Sequence, residues 1–194
     1  MLLASASADR LRLLRDAGYT VTASPSGVAE PPFSRFGDVD TYVSVLAELK
    51  ARAVHQRGGA GLIFAADTVG VAAGEVFGKP SGREDARRML AAISGSMHEV
   101  VTGWRLLRAR DNLMLGGVER TVITMRPWTD AELDAYLDSG EWQGKCGAYG
   151  LQLPHDPFVT DIVGSTSNVI GVPLERLHAV LHEFNLLPDD APPP

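Results

Sequence analysis

Residues 62–68 read LIFAADT. A run of apolar residues leads directly into Asp67. Read alone, the run is a buried strand that ends on a bare carboxylate. Either the acid makes a turn, or the strand aims it at something. What surrounds it decides the fold class. Before it lies a helical pattern over about 39–56, with Val43, Leu46, Lys50, Ala53 and Val54 at helical spacing and Gly58 and Gly59 as the stop. After it, 98–108 and 117–125 carry alternating or β-branched runs around ARDN, the pattern of a long hairpin. Helices and strands interleave in this way along the chain, which predicts an α/β or α+β fold with a mixed sheet.

The remaining elements follow from local signals. LLA at the start is a short strand. Ser7 caps a helix over about 8–17, with Leu11, Leu14 and Ala17 on one face and Gly18 as its stop. ASPSGVAEPPFSRFG, rich in Ser, Pro and Gly, reads as loop. Ser81 with Glu84, and Thr129 with Glu132, have capping-box spacing for helices ending near Ile93 and Gly140. FVTDIVG is a strand candidate, and Pro173 suits the first turn of a last helix to about Phe184. One domain over 1–187 is expected, with a disordered tail over 188–194. No internal repeat is evident.

Composition narrows the class. The chain has 194 residues, 45% hydrophobic and 22% charged, enough to bury a core and typical of a soluble protein. Its net charge of -6 argues against a broad nucleic-acid surface. An anionic small ligand stays open, because it needs only a few placed cations. Cys146 is the single cysteine, so neither an intrachain disulfide nor a cysteine-based zinc cluster is available, in keeping with a reducing compartment. The start does not read as a signal peptide, and no run reaches the roughly 20 residues of a membrane span.

Glycine and lysine recur together, in FGKP at 77–80 and QGKCGAYG at 143–150. Glycine lets backbone N–H groups approach a phosphate, and lysine brings a mobile point charge. Neither stretch has P-loop spacing, and the bland reading of each is a turn with a solvated lysine. His98 reads as a turn or core residue. His178 and His182 lie four apart on a helix but lack the glutamate of a zincin, so a helix surface is favoured. Serine-hydrolase chemistry lacks its G-x-S-x-G elbow.

Taken in order, LLASASADRLRLL, YVSVLAELKARA, AADTVG, GKP, SGSMHEVVTG, GKCGAYGLQ and GSTSNVIGVPLERL are more specific than any one of them. Together, over about 2–184, they resemble the Maf family of nucleoside triphosphate pyrophosphatases, also described as septum-formation inhibitors. The resemblance implies a mixed α/β fold akin to the inosine triphosphate pyrophosphatases, with an elongated sheet, flanking helices and a cleft between two lobes. It implies hydrolysis of the α–β phosphoanhydride of a nucleoside triphosphate to the monophosphate and pyrophosphate. It also implies a divalent cation (Mg²⁺ or Mn²⁺), a cytoplasmic location and a homodimer. Neither a nucleic-acid polymer nor a membrane is an expected partner.

The resemblance also assigns residues. Asp67 matches the family's proton acceptor, and Glu30 its acidic position in the early loop; both are expected beside the metal. Lys50, Lys79 and Lys145 match lysines that neutralise the triphosphate and the leaving pyrophosphate. Ser7 and Arg10 are expected to bind substrate. Asp67-Thr68 and GAYGLQ, with Thr68 and Gln152, match the branch acting on dTTP and UTP rather than the one acting on 7-methyl-GTP. A glutamine amide suits a pyrimidine edge, since it both donates and accepts. Two places depart. Where the family reads S-P-R-R, this chain reads Ser7-Ala8-Asp9-Arg10, putting an anion where relatives have a cation. Leu153 and Pro154 replace the glycine that follows the glutamine. Asp9 is therefore expected to bear on substrate choice. The expected substrate is dTTP/UTP or a modified pyrimidine nucleotide; the alternatives are a 7-methyl-GTP pyrophosphatase and a nucleotide-binding regulator of division with weak or lost hydrolysis.

Overall fold

One sheet organises the chain. The computed structural model describes residues 1–151 and 156–186. Its strands are β1 (Leu2–Leu3), β2 (Thr22–Ala23), β3 (Leu62–Ala72), β4 (Glu75–Phe77), β5 (Met97–Arg108), β6 (Leu113–Met125) and β7 (Val159–Val163). Its helices are α1 (Ala8–Asp16), α2 (Val39–Gln56), α3 (Arg83–Ile93), α4 (Asp130–Ser139), α5 (Thr166–Ile170) and α6 (Leu174–Glu183). The strand order is β2-β1-β3-β5-β6-β7, with β4 paired to β3 off that path. β1 runs parallel to β2 and β3, and the other pairs are antiparallel. The mixed α/β architecture expected from the sequence is present.

Many local signals act as predicted. Ser7 caps α1, α2 has the expected bounds, and Thr129 and Glu132 form a reciprocal capping box on α4. The hairpin β5–β6 forms around residues 109–112. Ser81 and Glu84, in contrast, make no capping box. Ser81 bonds to Asp85 instead, and the cap position of α3 falls on Gly82. His98 is buried with its Nδ1 unpartnered among the described residues, and burial pulls its pKa down to about 4. The disordered tail expected over 188–194 lies outside the described residues.

The larger correction concerns Asp67. It does not end a strand but sits in the middle of β3, which continues through Thr68, Val69, Gly70 and Val71 to Ala72. β5 covers one edge of β3 from Leu62 to Val71. On the other edge, β1 pairs only at Ile63 and Phe64, and β4 only from Gly70 to Ala72. Between them the edge is unpaired among the described residues, with Asp67 at its centre. β1 is two residues long because the chain turns away at Ser5 into α1, and β4 stops where Phe77 gives way to Gly78. The sheet therefore parts around Asp67. Crevices where neighbouring strands diverge are where open α/β sheets admit ligands.

Strand periodicity then sorts the neighbours, since alternate residues of β3 point to opposite faces. Ile63, Ala65 and Val69 meet α2 through Ala51, Val54 and Val43. Phe64 and Ala66 join Trp104, Leu106, Leu14 and Leu177 on the other face. A third cluster, with α3 and α4, closes over Ala72, Phe77 and Ile123.

α2 reaches the sheet closely at one point. Gly103 of β5 lies opposite Asp67 in register. A Cβ there would fall 2.5 Å from the Val43 carbonyl oxygen and 2.7 Å from Ser44 N. The absence of a side chain lets helix backbone touch strand backbone two turns before Lys50. Backbone cannot rotate away as a side chain can, so Gly103→Ala must displace the helix. It is expected to cost about 3 kcal/mol, the upper end of ordinary overpacking, and to lower activity by moving Lys50 from Asp67. A urea titration beside a turnover assay checks this; wild-type values in both would show that the close approach does not set the site.

Candidate active site

Lys50 stands on the apolar stripe of α2, among buried Val43, Leu46, Ala47, Ala51 and Val54. A lysine on that stripe must find anionic company or leave. It finds two carboxylates. Its Nζ lies 2.5 Å from Asp67 Oδ1 and 2.6 Å from Glu30 Oε1. Lys50 and Asp67 are buried, whereas the Glu30 side chain is about half exposed at 49%. The early loop, β3 and α2 are thus joined at a single ammonium. Burial pushes the Asp67 carboxyl above its ordinary value, while the charges and hydrogen bond of Lys50, and the charge of Arg10, oppose that shift.

Thr68 faces the other way and belongs to a second polar group. Arg10, from α1, donates from Nη2 to Thr68 Oγ1 at 2.8 Å, from Nε to the Gly171 carbonyl at 3.0 Å and from Nη1 to Ser5 Oγ at 3.3 Å. Thr68 Oγ1 also lies 2.9 Å from Thr102 Oγ1, and Thr102 donates to the Asn168 carbonyl. Asn168 is fully buried, and its amide nitrogen binds the Val100 carbonyl and Thr121 Oγ1. Gly171 ends α5 with φ of 101°, and a Cβ there would meet Arg10 Nε and Thr68 Oγ1 within 3 Å. Burial lowers the Arg10 pKa, and the Asp67 charge works against that. Arg10 is expected from the sequence to hold substrate; here its guanidinium also ties α1, β3 and α5 together.

The opposite side of the opening is built by the helical turn Cys146–Ala148. Cys146 Sγ donates to the Phe77 carbonyl at 3.1 Å, and Gly147 N donates to the Gly78 carbonyl at 3.0 Å. The Cys146 thiol is pushed up to about 12, by loss of water first and then by the Asp67 charge. Lys145, just before this turn, pairs with Asp9 of α1. Lys79, after β4, is exposed and has no ion-pair partner among the described residues.

Four of the residues expected at the site come together at the break in the sheet. Glu30, Lys50 and Asp67 are in contact, and Arg10 lies close enough for its charge to act on Asp67. Thr68 is adjacent in sequence but engaged on the other face. Ser7 spends its hydroxyl capping α1 by accepting from Arg10 N. Asp9 and Lys145 meet each other at the rim. Gln152, Leu153 and Pro154 lie outside the described residues. Thr102, Asn168 and Cys146 received no role from sequence. All three stand inside the quoted motif blocks, but nothing in a linear spacing shows that Thr102 touches Thr68, that Asn168 touches Thr102 or that Cys146 touches the β4 end.

The architecture and this site define a mixed α/β protein with a carboxylate–lysine centre in a parted sheet. The family described as Maf-like protein matches residues 1–184, and the chain belongs to that family. Relatives include a dTTP/UTP pyrophosphatase of Rhodopirellula baltica, 40% identical over 95% of this chain and 82% of its own. Another dTTP/UTP pyrophosphatase, from Anaeromyxobacter dehalogenans, is 40% identical over 93% of this chain and 92% of its own. The Symbiobacterium thermophilum protein of the same name is 36% identical over 95% and 93%. Among solved structures, a nucleoside-triphosphatase / dITP/XTP pyrophosphatase from Mycobacterium abscessus aligns with a TM-score of 0.37 and 15% identity, over 64% of this chain and 71% of that one.

The tethering by Arg10 has a measurable consequence. A lysine cannot reproduce three donors in a planar fork. Arg10→Lys is expected to cost about 3 kcal/mol or more of stability, since hydrogen bonds to charged groups are worth about 1.5–3 kcal/mol each and a lysine can keep only one of the three. Chemical denaturation reads it. Unchanged stability with impaired nucleotide binding would return Arg10 to a purely ligand-facing role.

Proposed function

We propose that this chain hydrolyses nucleoside triphosphates between the α- and β-phosphates, with dTTP and UTP as substrates, releasing a nucleoside monophosphate and pyrophosphate. The observation that carries the reading is Asp67 itself. It is buried at the unpaired stretch of β3, on an ammonium shared with Glu30. A purely structural carboxylate gains little from such a place, because desolvation of a buried pair offsets most of the Coulomb attraction. A group that must take a proton gains from burial that raises its basicity. The names of the relatives support the substrate class.

The residues fit a divalent cation. Glu30 and Asp67 already converge on one cation, the Lys50 ammonium. No group of three or more His, Cys, Asp or Glu among the described residues could hold a metal. Two carboxylates, with the other positions left to phosphate and water, suit Mg²⁺ or Mn²⁺, which keep waters and bind through substrate phosphates. Glu30 and Asp67 would hold the ion, and when bound it supplies positive charge to the phosphate oxygens.

The chain's own groups do the rest. A water oxygen adds to the α-phosphorus while Asp67 takes its proton. The bond from the α-phosphorus to the bridging oxygen breaks, and pyrophosphate leaves with the electron pair. Lys50 stays beside the reacting centre and holds the Asp67 carboxylate in place. Lys79 and Lys145 meet the charge on the leaving group, the kind of preset electrostatic support that lowers phosphoryl-transfer barriers. Gln152 contacts the base in this reading. The cytoplasmic location and the homodimer implied by the family resemblance belong to the same proposal. No helix among the described residues is long and apolar enough to cross a membrane.

Asp67→Asn keeps size and loses both basicity and charge. It is expected to reduce hydrolysis by about 10²- to 10⁴-fold, the usual contribution of a general base, with the fold intact by circular dichroism. Near-wild-type turnover from the folded variant would remove Asp67 from the reaction. The products give an independent test. With dTTP, UTP and 7-methyl-GTP supplied in parallel, pyrophosphate and the monophosphate should accumulate fastest from the first two. Orthophosphate and a diphosphate as main products would overturn the reaction assigned here.

A further inference from the structure

The break in the sheet has two walls, and one ion pair joins them. On the β1 side the wall is the first turn of α1, which carries Asp9. On the β4 side it is the segment leading into Cys146–Ala148, which carries Lys145 and is fastened to Phe77 and Gly78. Asp9 Oδ2 accepts from Lys145 Nζ across 136 positions of sequence. α1 packs its leucines with the Leu3–Phe64–Leu177 cluster, and Ala148 packs with the Phe77–Leu90–Tyr136 cluster. The two ends of the bridge thus belong to different parts of the core. Both side chains stay partly accessible, at 34% for Lys145 and 29% for Asp9. Asp9 has a second cation in hand, because Arg12 Nη2 lies 3.1 Å from Oδ1.

We propose that Asp9 is a built-in competitor for the polyphosphate: its carboxylate holds Lys145 across the opening, and phosphate oxygens take Lys145 from it when the nucleotide enters. This rests on the polyphosphate reading of the site. A carboxylate oxygen and a phosphate oxygen present the same kind of acceptor to an ammonium, so one replaces the other without changing the donor's chemistry. The exchange is cheap for Asp9, since Arg12 stays with it and its first-turn place on α1 suits an anion. It is favourable for Lys145, which passes from one negative charge to several. Asp9 then sets affinity without touching the base or the reacting phosphorus. Its effect falls on all triphosphates alike. That differs from the substrate-selecting role expected for it from sequence.

The test is equilibrium binding by calorimetry of the full chain. The probes are inorganic pyrophosphate and an α,β-methylene analogue of dTTP, which cannot be cleaved at that bond. Asp9→Asn removes the competing charge and keeps the side-chain size. It is expected to tighten both ligands about two- to fivefold at low ionic strength, the range set by a partly exposed ion pair. The gain should shrink as salt screens the pair. In a Lys145→Gln background the same Asp9→Asn change should give no gain, while Lys145→Gln alone weakens binding. Unchanged or weaker binding in Asp9→Asn overturns the proposal, as does an equal gain without Lys145. A gain for the dTTP analogue but not for its 7-methyl-GTP counterpart would also overturn it, in favour of base selection. Failure of the pyrophosphatase reading is seen separately, as absence of pyrophosphate release by the wild-type chain from every triphosphate supplied. A protein that binds neither probe, with or without Asp9, refutes the competitor role outright.

Discussion

The ammonium of Lys50, shared between Asp67 and Glu30, is the contact on which the arrangement depends. It ties the early loop to a helix and a strand that already pack on each other through Val43, Ala51 and Val54 against Ile63, Ala65 and Val69. Burial drives the Asp67 carboxyl toward its neutral form, and the lysine pulls it back. The balance between them requires α2 to lie close to the sheet, which the bare backbone of Gly103 permits. A stability argument alone would not choose this device, because a buried ion pair returns little beyond what its desolvation costs. It suits the base proposed for this site, which needs a carboxylate held beside a cation in a place of low dielectric.

The parting of β1 and β4 supplies the other half of the design. A continuous sheet would bury the edge of β3 under a neighbour's hydrogen bonds. Two short strands leave the middle of that edge open while pinning both of its ends. Because successive residues face opposite ways, Asp67 addresses α2 and Thr68 addresses Arg10, and one opening reaches two polar groups. The Arg10–Thr68–Thr102–Asn168 chain then fixes the strand from behind, so the carboxylate has little freedom to drift.

Sequence revealed much of this and stopped at definite points. Helix bounds were legible where a cap and an apolar stripe agreed, as at Ser7, Thr129 and α2. The hairpin was legible from its β-branched runs. Lys50 on an apolar stripe was a signal in plain view, and motif order tied it to Glu30 and Asp67. The end of β3 was misread because an aspartate looks like punctuation, although T-V-G-V-A beyond it continues an extended run. β4 is three residues long and below any periodicity. Ser81 and Glu84 have the spacing of a capping box, but Asp85 competes for the same serine. The Asp9–Lys145 bridge links residues 136 apart, and no local pattern encodes such a meeting.

That bridge changes how the departure at Asp9 is understood. On sequence alone, an anion in place of a cation beside a triphosphate site looks like lost affinity. In the fold the anion is already neutralised, by Lys145 and by Arg12. The polyphosphate would meet not a bare carboxylate but an ion pair, and the relevant quantity becomes the difference between two acceptors for one lysine. The three lysines of the site then differ in availability. Lys79 is exposed and unpaired among the described residues, Lys145 is held by one partly accessible carboxylate, and Lys50 is buried between two. A chain of net charge -6 can present a cationic path to a polyanion in this way, because most of its charges are paired locally and screening hides the remainder beyond about 10 Å. On the proposed reading a polyphosphate would meet Lys79 and Lys145, while Lys50 stays between its two carboxylates beside Asp67.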